Sequence, residues 1–123
     1  MQLQTLGGLR LTPTTFTRPK PLLLLAYLSL EGTRQRNLLA ELFWQEGNRM
    51  KSLSMALTLL RQGAGDVAQV DAKQVKANVE SDVRELLRAL DKSDWEGAAS
   101  LYTGAFLEGV VLEDWSSELE EWV

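Results

Sequence analysis

A mainly α-helical chain with a little β structure is predicted, on three observations. A run that is apolar on every side, Pro21–Leu30, is followed by two stretches with apolar residues three and four apart. Short alternating segments precede and follow this trio. From Glu80 onward the pattern is helical again, with small alanines set among large aromatics.

Leu3, Thr5 and Leu6, then Leu9 and Leu11, alternate well enough for one or two short strands broken at Gly7 and Gly8. Pro13, Thr14, Thr15 and Thr17 mark a turn that leaves room for a further short strand. Pro19 and Pro21 stand where a first helical turn accepts proline, and the leucines after them predict a helix buried nearly all round. Glu31-Gly32 ends it. A second helix is predicted over 35–44, carrying Leu38, Leu39, Leu42 and Phe43, with Trp44 closing the core at its end.

The third predicted helix, over 48–62, has an apolar stripe of Met50, Leu53, Leu57, Leu60 and Ala64. Lys51, Ser54, Thr58 and Arg61 repeat one residue later and form a separate polar edge. Met55 and Leu59 belong to neither; they pack on the preceding helix or the N-terminal strands, or else meet a thymine methyl or a second subunit. Gly63 to Asp66 breaks the helix. Val67–Val70 and Gln74–Val79 then read as two strands bent at Asp71-Ala72-Lys73. Ser81-Asp82 caps a helix to about Ala89, with Val83, Leu86, Leu87 and Leu90 on its apolar side. A helix over 93–102 and an acidic one over 113–123 complete the series, with Trp95, Tyr102 and Phe106 expected in the core of a helical-hairpin stack. The last helix has no terminating residue, so the chain is expected to be the N-terminal piece of a longer one.

Charge is divided between two regions. Residues 1–79 hold ten Lys/Arg and five Asp/Glu, a net of +5, and residues 80–123 hold three and twelve, a net of −9. A basic front of this kind suits a polyanion although the whole chain is acidic. No cysteine or histidine is present, which excludes disulfides, thiolate chemistry and the commonest general base and metal ligand. Neither a phosphate-binding glycine loop nor a metal set is legible, so no enzyme, cofactor or metal is expected. The acidic cluster Glu113, Asp114, Glu118, Glu120 and Glu121 reads as a solvated helix face. The longest apolar run, Leu22–Leu28, is far short of the about 20 residues a bilayer span takes. Without a basic leader, a cytoplasmic protein away from membranes is the expectation.

Three helices, the third amphipathic, then a hairpin outline a winged helix-turn-helix over 1–79, followed by tetratricopeptide-like helical hairpins over 80–123. A major groove about 12 Å wide admits one helix, and short Ser54 and Thr58 would let it approach closely while Lys51 and Arg61 reach phosphate or guanine. Lys73 and Lys76 would lie along the adjacent DNA backbone. Arg34 and Arg36 open the second helix, where backbone amides favour a phosphate.

Leu6-Gly-Gly-Leu-Arg-Leu11, Leu25-Ala-Tyr-Leu-Ser-Leu-Glu-Gly32 and Leu39-Ala-Glu-Leu-Phe-Trp44 resemble the N-terminal region of SARP-type bacterial transcriptional activators. Arg49-Met-Lys-Ser-Leu-Ser-Met-Ala-Leu-Thr-Leu-Leu-Arg61 resembles that family's recognition helix, which adds Arg49 to the candidate contacts. Trp95-Glu-Gly-Ala-Ala-Ser-Leu-Tyr-Thr-Gly-Ala-Phe-Leu-Glu-Gly109 and Glu120-Glu-Trp122 resemble the start of its activation domain. The resemblance implies an OmpR/PhoB-like winged helix joined to a bacterial transcriptional activation domain. It also implies binding to double-stranded DNA, a contact with RNA polymerase or another protein through the acidic part, and pairing of two copies on DNA. Where the family usually carries a second basic residue, this chain has Thr58 and Leu59. A protein-interaction module that keeps the fold without DNA binding is therefore the alternative expectation.

Overall fold

The computed structural model describes residues 2–14, 16, 18–44, 47–108 and 122. Two small sheets flank a helical core. Strands β1 (Gln2–Gln4) and β2 (Arg10–Thr12) pair antiparallel with Leu3 opposite Leu11, and both leucines point into the core. Helix α1 (Pro19–Glu31) starts on Pro19, whose missing N–H is no loss in a first turn. It ends at Gly32, which takes a φ of 85° and donates its N–H to the carbonyl of Leu28. Leu22, Leu23, Leu24, Leu25 and Leu28 are all essentially covered. The reason is position: α1 packs against helices and strands from both halves of the chain, which leaves it no solvent face. Each such leucine contributes about 1.5–3 kcal/mol by burial.

After α1 the chain makes a two-residue strand β3 (Arg34–Gln35), then α2 (Arg36–Phe43) and α3 (Arg49–Ala64). The Asn48 side chain caps α3 by accepting from Lys51 N at 3.1 Å. Gly65 closes it at a φ of 80°. Strands β4 (Ala68–Val70) and β5 (Gln74–Ala77) form the expected hairpin, and β3 pairs on the other side of β5 to give the order β3-β5-β4. The expected helix over 35–44 thus begins one residue later, because residues 34 and 35 are taken up by pairing with Val75 and Gln74.

Strand β6 (Glu80–Ser81) joins β1 in parallel, so the expected division at 79/80 falls directly before a strand of the N-terminal sheet. Ser81 caps α4 (Asp82–Asp91) and its hydroxyl also accepts from Ser29 at 3.0 Å. Helix α5 (Trp95–Leu101) follows, capped by Asp94. The chain then returns to the N-terminal sheet. Gly7 N donates to Ala105 O, Leu107 N to Thr5 O and the Thr103 hydroxyl to Leu6 O. Gly104 is required at this crossing, since a methyl there would lie 2.7 Å from the Gly7 Cα. Trp122 packs tilted on Tyr27 at 5.0 Å and edge-to-face on Phe106 at 5.4 Å, and donates its indole N–H to Glu31.

Several expected core positions differ. Trp95 and Tyr102 are 66% and 60% exposed, as they share a face of α5 beside the one that Ala98 buries, and no described residue covers it. Phe106 is half-buried against the main core. Leu87 and Leu90 are exposed for the same reason, whereas Val83 is buried. Met50 lies in the first turn of α3, over Asn37 and Glu41 of α2, and stays exposed; Ala56 takes its place in the buried stripe. Leu38 faces solvent. The described residues between Pro13 and α1 form no strand, and the acidic residues 113, 114, 118, 120 and 121 lie outside the described residues.

Candidate nucleic-acid interface

The candidate interface is built on α3 and the β4–β5 hairpin. Burying Leu53, Ala56, Leu57, Leu60 and Ala64 leaves the edge one residue further round the helix outward, and there Lys51, Thr58 and Arg61 are exposed. Ser54, one turn from each of Lys51 and Thr58, is half-buried. The Thr58 hydroxyl donates to the carbonyl of Ser54 at 2.9 Å, the usual internal bond of a helical threonine, and keeps its lone pairs toward solvent. Arg61 Nε is 3.9 Å from Asp66 Oδ1, with both side chains over four-fifths exposed, a pair that contributes little. Arg49 is exposed in the first turn.

The hairpin turn is held by its own aspartate. Asp71 Oδ1 accepts from Lys73 N at 2.7 Å and Gln74 N at 2.8 Å, and Asp71 N donates to Gln74 O. Those two backbone amides hold the Asp71 carboxyl below its ordinary value of 3.8, with Arg36 adding a weaker attraction. A depressed folded value means the contribution is present above the unfolded value and is lost as pH falls through the folded one. An NMR titration should therefore show the Lys73 and Gln74 amide shifts moving together at a midpoint below 3.8. A midpoint at or above it would contradict the capped turn. Lys73 and Lys76 are both exposed on this hairpin.

Arg34 and Arg36 are placed otherwise than expected. Arg34 lies in β3, half-buried, paired with Glu31 at 3.6 Å and donating to the Thr33 carbonyl. Arg36 is the first residue of α2, but its guanidinium turns across to its neighbours. Nη2 donates to Ser54 Oγ at 3.0 Å and Nη1 to the Asp71 carbonyl at 3.2 Å, while Nε is buried without a partner among the described residues. Its backbone N–H donates to Lys73 O at 2.8 Å. One side chain thus brings the middle of α3 next to the hairpin turn. Ser54 and the Asp71–Lys73 turn are thereby neighbours, with Lys51 and Thr58 one helical turn to either side of Ser54.

Two further placements differ from the packing expected. Met55 is 57% exposed and, with Leu59, Trp44, Pro19 and Pro21, lines a groove of about 350 Å³ rimmed by Arg18 and Lys20. The Lys20 ammonium stands 5.2 Å from the Trp44 ring, and Trp44 packs on Phe43. The other is Asp82, expected only as part of a cap and instead bonded to Thr5 and Leu6. Contacts 76 and 77 residues apart leave no local signal.

Comparison of the chain with protein-family models, curated proteins and solved structures found no match. Among the described residues no helix is long and apolar enough to cross a membrane.

Proposed function

We propose that this protein is a sequence-specific DNA-binding transcriptional activator of the winged-helix type. Helix α3 enters the major groove, the β4–β5 hairpin serves as the wing on the phosphate backbone, and the acidic part from Glu80 onward, a tetratricopeptide-like hairpin, meets RNA polymerase or another protein. The observation that carries this reading is the outer edge of α3. Lys51, Thr58 and Arg61 are exposed there, and Arg36 joins Ser54 of the same edge to the hairpin turn on which Lys73 is exposed. Short hydroxyl-bearing residues between cations let a helix sit close to base edges, and cations at both ends suit flanking phosphates. The charge division supports the same orientation, with the acidic half held away from the DNA.

Anisotropy titration of the chain with promoter DNA from its own operon, at two salt concentrations, tests this. Affinity is expected to fall steeply with salt. Arg61→Ala is expected to weaken operator binding by about 1–3 kcal/mol and random DNA far less, as a base contact requires. Equal losses on both DNAs would reduce Arg61 to a phosphate contact, and no binding at low salt would overturn the reading.

A second reading, a protein-interaction module without DNA binding, is favoured by one observation. Met55 sits exposed beside Trp44 and Leu59 in an apolar groove, and Leu87, Leu90, Trp95 and Tyr102 add further uncovered apolar surface. Failure to bind DNA at low salt would select it.

A further inference from the structure

We propose that Arg36 is a positioning residue, one that sets the angle between α3 and the β4–β5 hairpin and makes no phosphate contact itself. The inference rests on the DNA-binding reading and concerns how that surface is held ready. Arg36 follows β3 directly, and the pairing of Arg34 with Val75 and Gln35 with Gln74 delivers it opposite the hairpin turn. From there its backbone N–H bonds to Lys73 O, Nη1 to Asp71 O and Nη2 to Ser54 Oγ. Three elements, α2, α3 and the hairpin, meet on this one residue.

The turn is shaped to receive it. Asp71 spends its carboxylate on the amides of Lys73 and Gln74, which fixes the turn and leaves the Asp71 carbonyl for Arg36. On the other side, Ser54 is the half-buried member of the α3 edge, set between Lys51 and Thr58. One N–H of each terminal nitrogen is spent on Asp71 and Ser54 and Nε is buried, so the fork is turned toward the hairpin and α3. A hairpin of three- and four-residue strands is marginal without support, and β3 supplies only two residues of it. Val75 anchors β5 in the core, and the fork of Arg36 adds the polar tie between the hairpin turn and the middle of α3. Holding both in register before DNA arrives removes an ordering cost from binding. Lysine, with a single charged nitrogen, cannot span Ser54 and Asp71 together.

The test compares Arg36→Ala, Arg36→Lys and Lys73→Ala by DNA titration over a salt series, and by amide hydrogen exchange of the free proteins. Arg36→Ala and Arg36→Lys are both expected to bind about tenfold more weakly, the loss of charge-assisted hydrogen bonds, with the wild-type salt slope. Lys73→Ala should instead lower the slope by about 0.9, one phosphate. Exchange at Val75, Lys76 and Ala77 should rise at least about tenfold in both Arg36 variants while α1 is unchanged. Adding Ser54→Ala to Arg36→Ala should weaken binding no further. Wild-type affinity in Arg36→Lys, a reduced slope in Arg36→Ala, or unchanged hairpin exchange would each overturn the positioning role alone. Wild type that fails to bind at low salt would overturn the DNA reading and this inference together.

Discussion

Asp82→Ala is expected to lower the unfolding free energy by about 3–5 kcal/mol, measured by urea denaturation followed by circular dichroism. Asp82 is only 8% exposed, and its carboxylate accepts four hydrogen bonds. Thr5 N, the Thr5 hydroxyl and Val83 N converge on Oδ1 at 2.8 Å each, and Leu6 N reaches Oδ2 at 2.9 Å. Truncation leaves buried donors unpaired, each costing about 1–3 kcal/mol, partly offset because a buried charge is also removed. Thr5 is itself fully buried, so its backbone cannot turn to water without opening the N-terminal sheet. Asp82→Asn should lose less, about 1–2 kcal/mol, because its carbonyl can keep the three donors at Oδ1 while its amide faces Leu6 N–H. An alanine variant within about 0.5 kcal/mol of wild type would show that the carboxylate is not the clasp between α4 and the first strand.

The second large effect concerns binding. The double variant Lys51→Glu, Lys73→Glu is expected to bind promoter DNA about 100-fold more weakly, or worse, at low salt. One cation is lost from the α3 edge and one from the hairpin turn, both exposed, and each is replaced by a charge that phosphates repel. Stability should change by less than about 0.5 kcal/mol, since neither side chain is buried. A glutamate in the first turn of α3 even favours the helix, whose exposed amides make that end positive. Unaltered affinity in a correctly folded double variant would remove this face as the DNA-binding surface. The single variants should each show about half the effect on a logarithmic scale, as the contacts proposed for α3 and for the hairpin fall on different phosphates.

How much of this was legible beforehand depends on the range of the interactions. The α1 helix followed from its leucine run, Pro19 and Gly32, all within one segment. The α3 stripe was read from spacing alone, and only its first member, Met50, fell outside the core, because periodicity does not say where the neighbouring helix ends. The hairpin was marked by Asp71, whose short carboxylate can reach amides two and three residues on. Strand β3 left no such trace: two residues cannot show alternation, and Arg34 and Gln35 are strand only because β5 lies beside them. Size and apolarity predict Trp95 and Tyr102 inside, but these properties drive burial only where a partner surface is present.

The candidate site divides along the same line. Residue types and helical spacing determined that Lys51, Thr58 and Arg61 share an edge one residue round from the leucines, because helix geometry is local and burial of one stripe fixes where the next one points. Spacing could not tell which arginines reach solvent. Arg36 and Arg61 are equally cationic in the sequence, yet one spans Ser54 and Asp71 while the other stands in water. That choice, like the bonds from Thr5 and Leu6 to Asp82, was made only by the tertiary structure. A polar side chain is committed by the donors and acceptors that the fold brings within about 3 Å, and those come from distant parts of the chain.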